Sequence, residues 1–160
     1  MLNQKQNTHL VFILFFILAG LISAYIIEYK LGHEPCNLCI YERIPYFLAI
    51  FLIIEALFFK KNLKITLLIL SIIFVTSSAL AFYHFGIEQG FFSESFFCES
   101  KNPEANLSKE QLLENLKQTT ISCKNVSFKI MGLSLAAINT IFSTILSIVL
   151  IRLFKNYEEN

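Results

Sequence analysis

Charge is what this chain has least of: only 16% of its 160 residues are Asp, Glu, Lys or Arg, against 55% hydrophobic. A soluble domain of this length could not hide so much apolar surface, so the composition points to a membrane protein of one domain, residues 1–160. A basic excess is also missing. With a formal charge of +1 there is nothing to neutralise a phosphate backbone, and nucleic acid is excluded as partner. Tryptophan is absent, and 17 phenylalanines supply most of the aromatic content. No internal repeat and no low-complexity stretch occurs.

What is present is a set of apolar runs. Leu10–Ile27, Ile65–Tyr83 and Ile130–Ile151 carry no charge, and Ile44–Phe59 carries only Glu55. A bilayer core of ~30 Å takes roughly 17–25 helical residues. Continuous rather than alternating apolarity favours helices over barrel strands. The expected architecture is all-α: a four-helix transmembrane bundle with spans at about 10–27, 44–59, 65–83 and 130–151. The second span is the short one unless it starts near Tyr41, with Arg43 snorkelling toward headgroups. The first run is too long for a secretion signal, and Ile22-Ser23-Ala24 is a poor cleavage site, so it reads as an uncleaved anchor. Small residues four apart, Gly20 and Ala24, then Ala136, Thr140 and Thr144, predict close helix approach. Glu55 is read as a buried acid paired with a hydroxyl of a neighbouring helix.

Charge also predicts sidedness. Lys60, Lys61 and Lys64 form a short basic loop, which stays cytoplasmic, and Lys5, Arg152 and Lys155 agree. Both termini are then cytoplasmic, and residues 28–43 and 85–129 are outer loops, the second being the large periplasmic loop between spans 3 and 4. All four cysteines fall in these outer regions, where a bacterium keeps disulfides. Within the large loop, Asn102-Pro103 signals a turn, and Ser108-Lys109-Glu110-Gln111 reads as a capping box. It would open a short helix with Leu112, Leu113 and Leu116 on its apolar side. Phe91, Phe92, Phe96 and Phe97 read as an interfacial cluster holding Cys98 near the bilayer. The sequons at Asn106 and Asn125 are too short a pattern to carry weight.

Cys36-Asn37-Leu38-Cys39 is the sharpest motif. A Cys-x-x-Cys pair can close a small ring, and one of its thiols is commonly acidified. On a continuous helix Cys36, Cys39 and Arg43 would share a face, so that the guanidinium stabilises a thiolate on Cys39 or charge developing on a quinone oxygen. Glu42 would orient Arg43 or face water. Cys98 and Cys123 admit two readings: a staple worth ~3–4 kcal/mol by loop closure, or an exchangeable bond. Structural zinc fits poorly with one Cys-x-x-Cys and a widely spaced second pair, so no metal is expected.

Pro35-Cys36-Asn37-Leu38-Cys39-Ile40-Tyr41-Glu42-Arg43 resembles the signature of the disulfide bond formation protein B (DsbB) family. Ala81-Phe82-Tyr83-His84-Phe85-Gly86-Ile87-Glu88-Gln89-Gly90 and Cys123 followed by Gly132-Leu133-Ser134-Leu135-Ala136-Ala137-Ile138-Asn139 resemble two further blocks of that family, in order. Lys124 departs from it, standing where relatives often carry an acid.

The resemblance implies a dithiol–quinone oxidoreductase of the bacterial inner membrane, facing the periplasm and reoxidising a thioredoxin-like DsbA partner. It implies that Cys98 meets the partner's thiolate, that Cys123 passes electrons to Cys36–Cys39, and that Cys39 lies next to the quinone, ubiquinone or menaquinone. Arg43 would sit beside the quinone ring, and His84 would help to line its pocket. A different class remains open to the residues alone, a non-catalytic membrane scaffold with disulfide-stapled outer loops. An outward-running reductase would want a cysteine within a span or on the cytoplasmic side, and none is there.

Overall fold

The computed structural model describes residues 2–59, 63–93, 98, 122–124 and 128–158. The elements run α1 (Leu2–Tyr29), α2 (Asn37–Tyr41), α3 (Ile44–Phe59), α4 (Leu63–Glu88), β1 (Lys129–Ile130), β2 (Leu133–Ser134) and α5 (Leu135–Glu158). The apolar runs predict the long helices because a chain in lipid must satisfy its backbone within each segment. α1, α4 and α5 each contain a stretch long and apolar enough to cross a membrane, at Asn7–Tyr29, Leu63–Glu88 and Leu135–Tyr157. α3 has 16 residues, and at 1.5 Å per residue it covers about 24 Å, short of a bilayer core.

Each helix turns one stripe inward at helical spacing: Leu10, Ile13, Ile17 and Leu21 on α1, Tyr46, Ala49, Ile53 and Ala56 on α3, Leu63, Leu67, Leu70 and Phe74 on α4. Leu146 and Leu150 of α5 complete this core. The opposite faces expose large apolar side chains, including Phe12, Phe15, Phe51 and Phe58. That distribution suits lipid rather than water as the surrounding solvent. α4 and α5 pack along their length. Between them Ser77 and Ser143 hydroxyls lie 3.3 Å apart, and Ser78 and Thr144 hydroxyls 2.7 Å apart.

α3 covers the expected 44–59, while two helix ends and one helix junction next to the site differ from the sequence expectation. α4 runs on past Tyr83 to Glu88, which puts His84 and Glu88 on one helix one turn apart, and it stops where Gly90 adopts a left-handed φ of 78°. α5 starts at Leu135 rather than Ile130 because residues 129–134 form a hairpin. Its turn is Met131-Gly132, with φ of 53° and 85°. Ser134 then accepts a hydrogen bond from the Ala137 N–H and caps the helix.

The third difference matters most for the site. α2 and α3 are not one helix, because Pro45 has no N–H to offer the Tyr41 carbonyl four residues back and its ring crowds that carbonyl. The chain breaks at Glu42-Arg43 and restarts, with Tyr46 and Phe47 N–H groups both bonding the Arg43 carbonyl.

Two expectations about span residues fail. Glu55 is exposed on the outer face of α3, not buried against a neighbouring hydroxyl. The reason is register: Ile53 and Ala56 hold the inward stripe. Gly20 and Ala24 do not make a tight helix contact; they line a cavity, and a methyl group on Gly20 would sit 3.7 Å from the Phe142 ring. The expected capping box at Ser108–Gln111, its leucines, the Asn102-Pro103 turn, Phe96, Phe97, Lys60, Lys61 and both sequon asparagines lie outside the described residues. Phe92 stacks on Tyr83 at 5.5 Å between ring centroids, while Phe91 is exposed.

Candidate functional site

Cys36 is the N-cap of α2, with extended backbone, and its sulfur accepts the Cys39 N–H at 3.3 Å. The same turn brings the two free sulfurs to 2.8 Å. Cys36 is buried and Cys39 half-buried.

His84 of α4 points at this pair, with Nε2 3.5 Å from Cys36 Sγ. Its orientation is set from behind. His84 Nδ1–H donates to Glu42 Oε1 at 2.6 Å, and Glu42 Oε2 accepts from Asn139 Nδ2 at 2.6 Å. Asn139 Oδ1 accepts in turn from the Tyr46 hydroxyl, which also lies 2.9 Å from Ser143 Oγ. A thiol, an imidazole and a carboxylate in line form the arrangement that activates sulfur nucleophiles, with the acid holding the ring and the ring facing the sulfur. Glu42 is 6% exposed, so the expectation that it faces water or orients Arg43 is overturned. The break before Pro45 is what turns it inward.

Arg43 goes the other way. Its Nη1 lies 2.5 Å from Glu28 Oε2, and its guanidinium sits 4.8 Å above the Tyr25 ring. It is committed to an ion pair instead of the sulfurs, and the expected thiolate shifts accordingly. The Cys39 thiol donating to it, then the His84 ring beside it, hold Cys36 well below the usual thiol range at about 4. Cys39 is pushed up by its hydrogen bond to Cys36, by burial, and by the charge of that neighbour. The thiolate of this pair belongs on Cys36, not on Cys39, because Cys36 is the sulfur that the Cys39 thiol and N–H and the His84 ring all approach.

The second pair is closed. Cys98 and Cys123 are joined, with Cα atoms 5.3 Å apart. Both are almost fully buried, and they share one apolar cluster with Cys36, Leu38 and Ile87. Tertiary packing thus gathers four cysteines that sequence places in two separate outer regions. Of the disulfide, Cys123 also lines the cavity that Cys36 and Cys39 line. That cavity has a volume of about 440 Å³. Its walls include Phe16, Leu21, Ile27, Ile138 and Phe142, and Arg43, His84 and Glu88 bring polar groups to it.

The model of the family described as disulfide bond formation protein DsbB matches residues 6–153. The chain belongs to the DsbB family. It is also 34% identical over 151 residues to the uncharacterized protein RP370 of Rickettsia prowazekii (strain Madrid E), covering 92% of this chain and 87% of that one. DsbB membership makes the chain a disulfide-forming oxidoreductase, and its apolar helices make it a multi-pass membrane protein.

Within the DsbB blocks read from the sequence, Asn139 and Glu88 passed without a role. A signal for both existed, since a polar side chain in or next to an apolar run is costly and usually has a partner. The partner itself, dozens of positions away, could not be read from it.

Proposed function

We propose that the chain oxidises the dithiol of a periplasmic thioredoxin-like protein of the DsbA type and delivers the electrons to a membrane quinone. It would do so as a four-span bundle in the bacterial inner membrane, with both termini cytoplasmic and the cysteines outside. The observation that carries this reading is the burial of a closed disulfide and an open dithiol in one cluster, beside an apolar cavity.

The thiol chemistry follows from the sulfurs. A partner thiolate attacks Cys98, the Cys98–Cys123 bond breaks, and Cys123 leaves. The partner's second thiol then attacks the mixed disulfide and departs oxidised, leaving Cys98 and Cys123 reduced. Exchange between Cys123 and an oxidised Cys36–Cys39 bond recloses the outer pair and leaves the inner one as a dithiol. Cys123 is the natural donor because it, and not Cys98, lines the cavity with Cys36 and Cys39.

The cavity fits a quinone: its walls are largely apolar, and Arg43 and His84 are the polar side chains that would hold the ring. Ubiquinone or menaquinone, when bound, would supply a two-electron, two-proton acceptor beside Cys39. The chain's own residues prepare the transfer. His84, fixed by Glu42, holds the proton shared with Cys36, so the sulfur is kept as thiolate. The apolar walls exclude water from the reduced pair.

The test is an anaerobic titration of purified protein with reduced DsbA-type partner, following quinone absorbance. Quinone should be reduced in proportion to partner, and replacement of any one cysteine should stop turnover. Full activity in Cys98→Ala would overturn the relay.

A further inference from the structure

The inner dithiol has a feature that electron relay does not require. Cys36 Sγ, Cys39 Sγ and one His84 ring nitrogen all lie within 4.8 Å of one another. A tetrahedral zinc with bonds of about 2.0–2.3 Å separates its ligand atoms by roughly 3.3–3.8 Å. Cys36 Sγ to His84 Nε2 is 3.5 Å, inside that range. The sulfurs at 2.8 Å would have to open by about 1 Å, and Cys39, on one short turn of helix, has room to do so on its half-buried side.

Two independent observations point to a ligand. Glu88, one turn beyond His84 on α4, has a side chain 6% exposed, with Oε1 3.9 Å from His84 Nε2. Its Oε2 is buried without a hydrogen-bond partner among the described residues. A buried carboxylate oxygen left unpaired is costly and calls for a cation or donor. Second, Glu42 accepts the Nδ1–H of His84, the carboxylate–histidine pairing that turns Nε2 outward as a metal ligand. Cys36, Cys39, His84 and Glu88 line one cavity, which gives a cation its path.

We propose that the reduced Cys36–Cys39 dithiol, with His84 as third ligand, forms a site for a soft divalent cation of the zinc type; Glu88, beside His84 but outside that close triad, completes it by turning its carboxylate inward. The site exists in one redox state only. Binding displaces the proton of the Cys39 thiol and the one that Cys36 shares with His84 Nε2, and no electrons move. Closing the Cys36–Cys39 disulfide uses both sulfur ligands and expels the cation. This is not a four-cysteine structural site, because Cys98 and Cys123 are engaged with each other. Cation binding is independent of the quinone reading. Its consequence, a dithiol that cannot be reoxidised until the cation leaves, rests on that reading.

The experiment uses the full chain in detergent with Cys98→Ala and Cys123→Ala, so that Cys36 and Cys39 are the only thiols, titrated with Co²⁺ after reduction. One Co²⁺ per chain should bind, with thiolate-to-metal charge-transfer absorption and tetrahedral d–d bands that Zn²⁺ abolishes. The same chain with Cys36–Cys39 oxidised should give neither band. The bands should also appear in the fully reduced wild-type chain, which guards against a misfolded variant. Glu42→Gln should weaken binding by about 10-fold or more, and Glu88→Gln should alter the d–d bands. Absence of stoichiometric Co²⁺ in the reduced chains overturns the site. So do bands unchanged in both His84→Ala and Glu88→Gln, since the dithiol alone would then be the binder. Quinone reduction plays no part in these readouts, so failure here leaves the relay standing.

Discussion

His84 Nδ1 and Glu42 Oε1, on α4 and at the end of α2, lie 2.6 Å apart, with side chains 3% and 8% exposed. This contact ties the dithiol turn to the long helix, and it decides which sulfur carries charge. Glu42→Gln keeps the shape but removes the charge that supports His84. Turnover should fall by about 100-fold, with partner affinity unchanged in a binding assay. Glu42→Ala leaves His84 and Asn139 unpaired and should also lower stability by about 1–3 kcal/mol per stranded group, read as a lower thermal midpoint.

Thiolate absorbance near 240 nm in the reduced Cys98→Ala, Cys123→Ala chain should persist at neutral pH and disappear as pH falls through about 4. The sign follows from the direction of the shift. Cys36 is more acidic folded than unfolded, so its contribution to stability is fully present above the unfolded thiol range near 8.5–9 and is lost on acidification through its folded value. In His84→Ala the absorbance should vanish at a higher pH. An unmoved titration would show that Cys39 alone sets it.

Arg43 is paired with Glu28, so Arg43→Gln should leave the Cys36 titration in place while raising the KM for added quinone. Lysine at this position should not rescue fully, because it cannot match the planar guanidinium stacked over Tyr25. A Cys36 titration shifted upward with KM unaltered would return Arg43 to the sulfurs.

Pro45→Ala supplies a backbone N–H where the proline has none, removes the ring that crowds the preceding turn, and permits α2 to join α3. Helix stability should hold or rise slightly, yet turnover should drop about tenfold or more, because Glu42 would rotate off His84. Thermal denaturation and partner-dependent quinone reduction measure the two effects separately. Full turnover in this variant would mean that the break does not position Glu42.

Much of the architecture was legible in the chain. Apolarity over about twenty residues is a local property, so the runs containing Leu10–Ile27, Ile65–Tyr83 and most of Ile130–Ile151 could be read as helices without knowing what they pack against. Cys36 and Cys39 were legible for the same reason, as two thiols on one turn. The proline at position 45 was visible too, but its weight was missed; it breaks the shared face on which Cys39 and Arg43 were expected to meet. Glu55 was misread because hydropathy marks a run and not the side of it that faces lipid.

The amino-acid order by itself determined that this is a helical membrane protein with a dithiol at the end of an apolar run. Only the tertiary structure decided that His84 and Glu42, 42 positions apart, govern Cys36, and that Arg43 belongs to Glu28. It alone brought Cys98 and Cys123 against the inner pair. The division has a physical cause: burial in lipid sums over neighbours along the chain, whereas hydrogen bonds and ion pairs depend on how each helix is rotated and where it breaks.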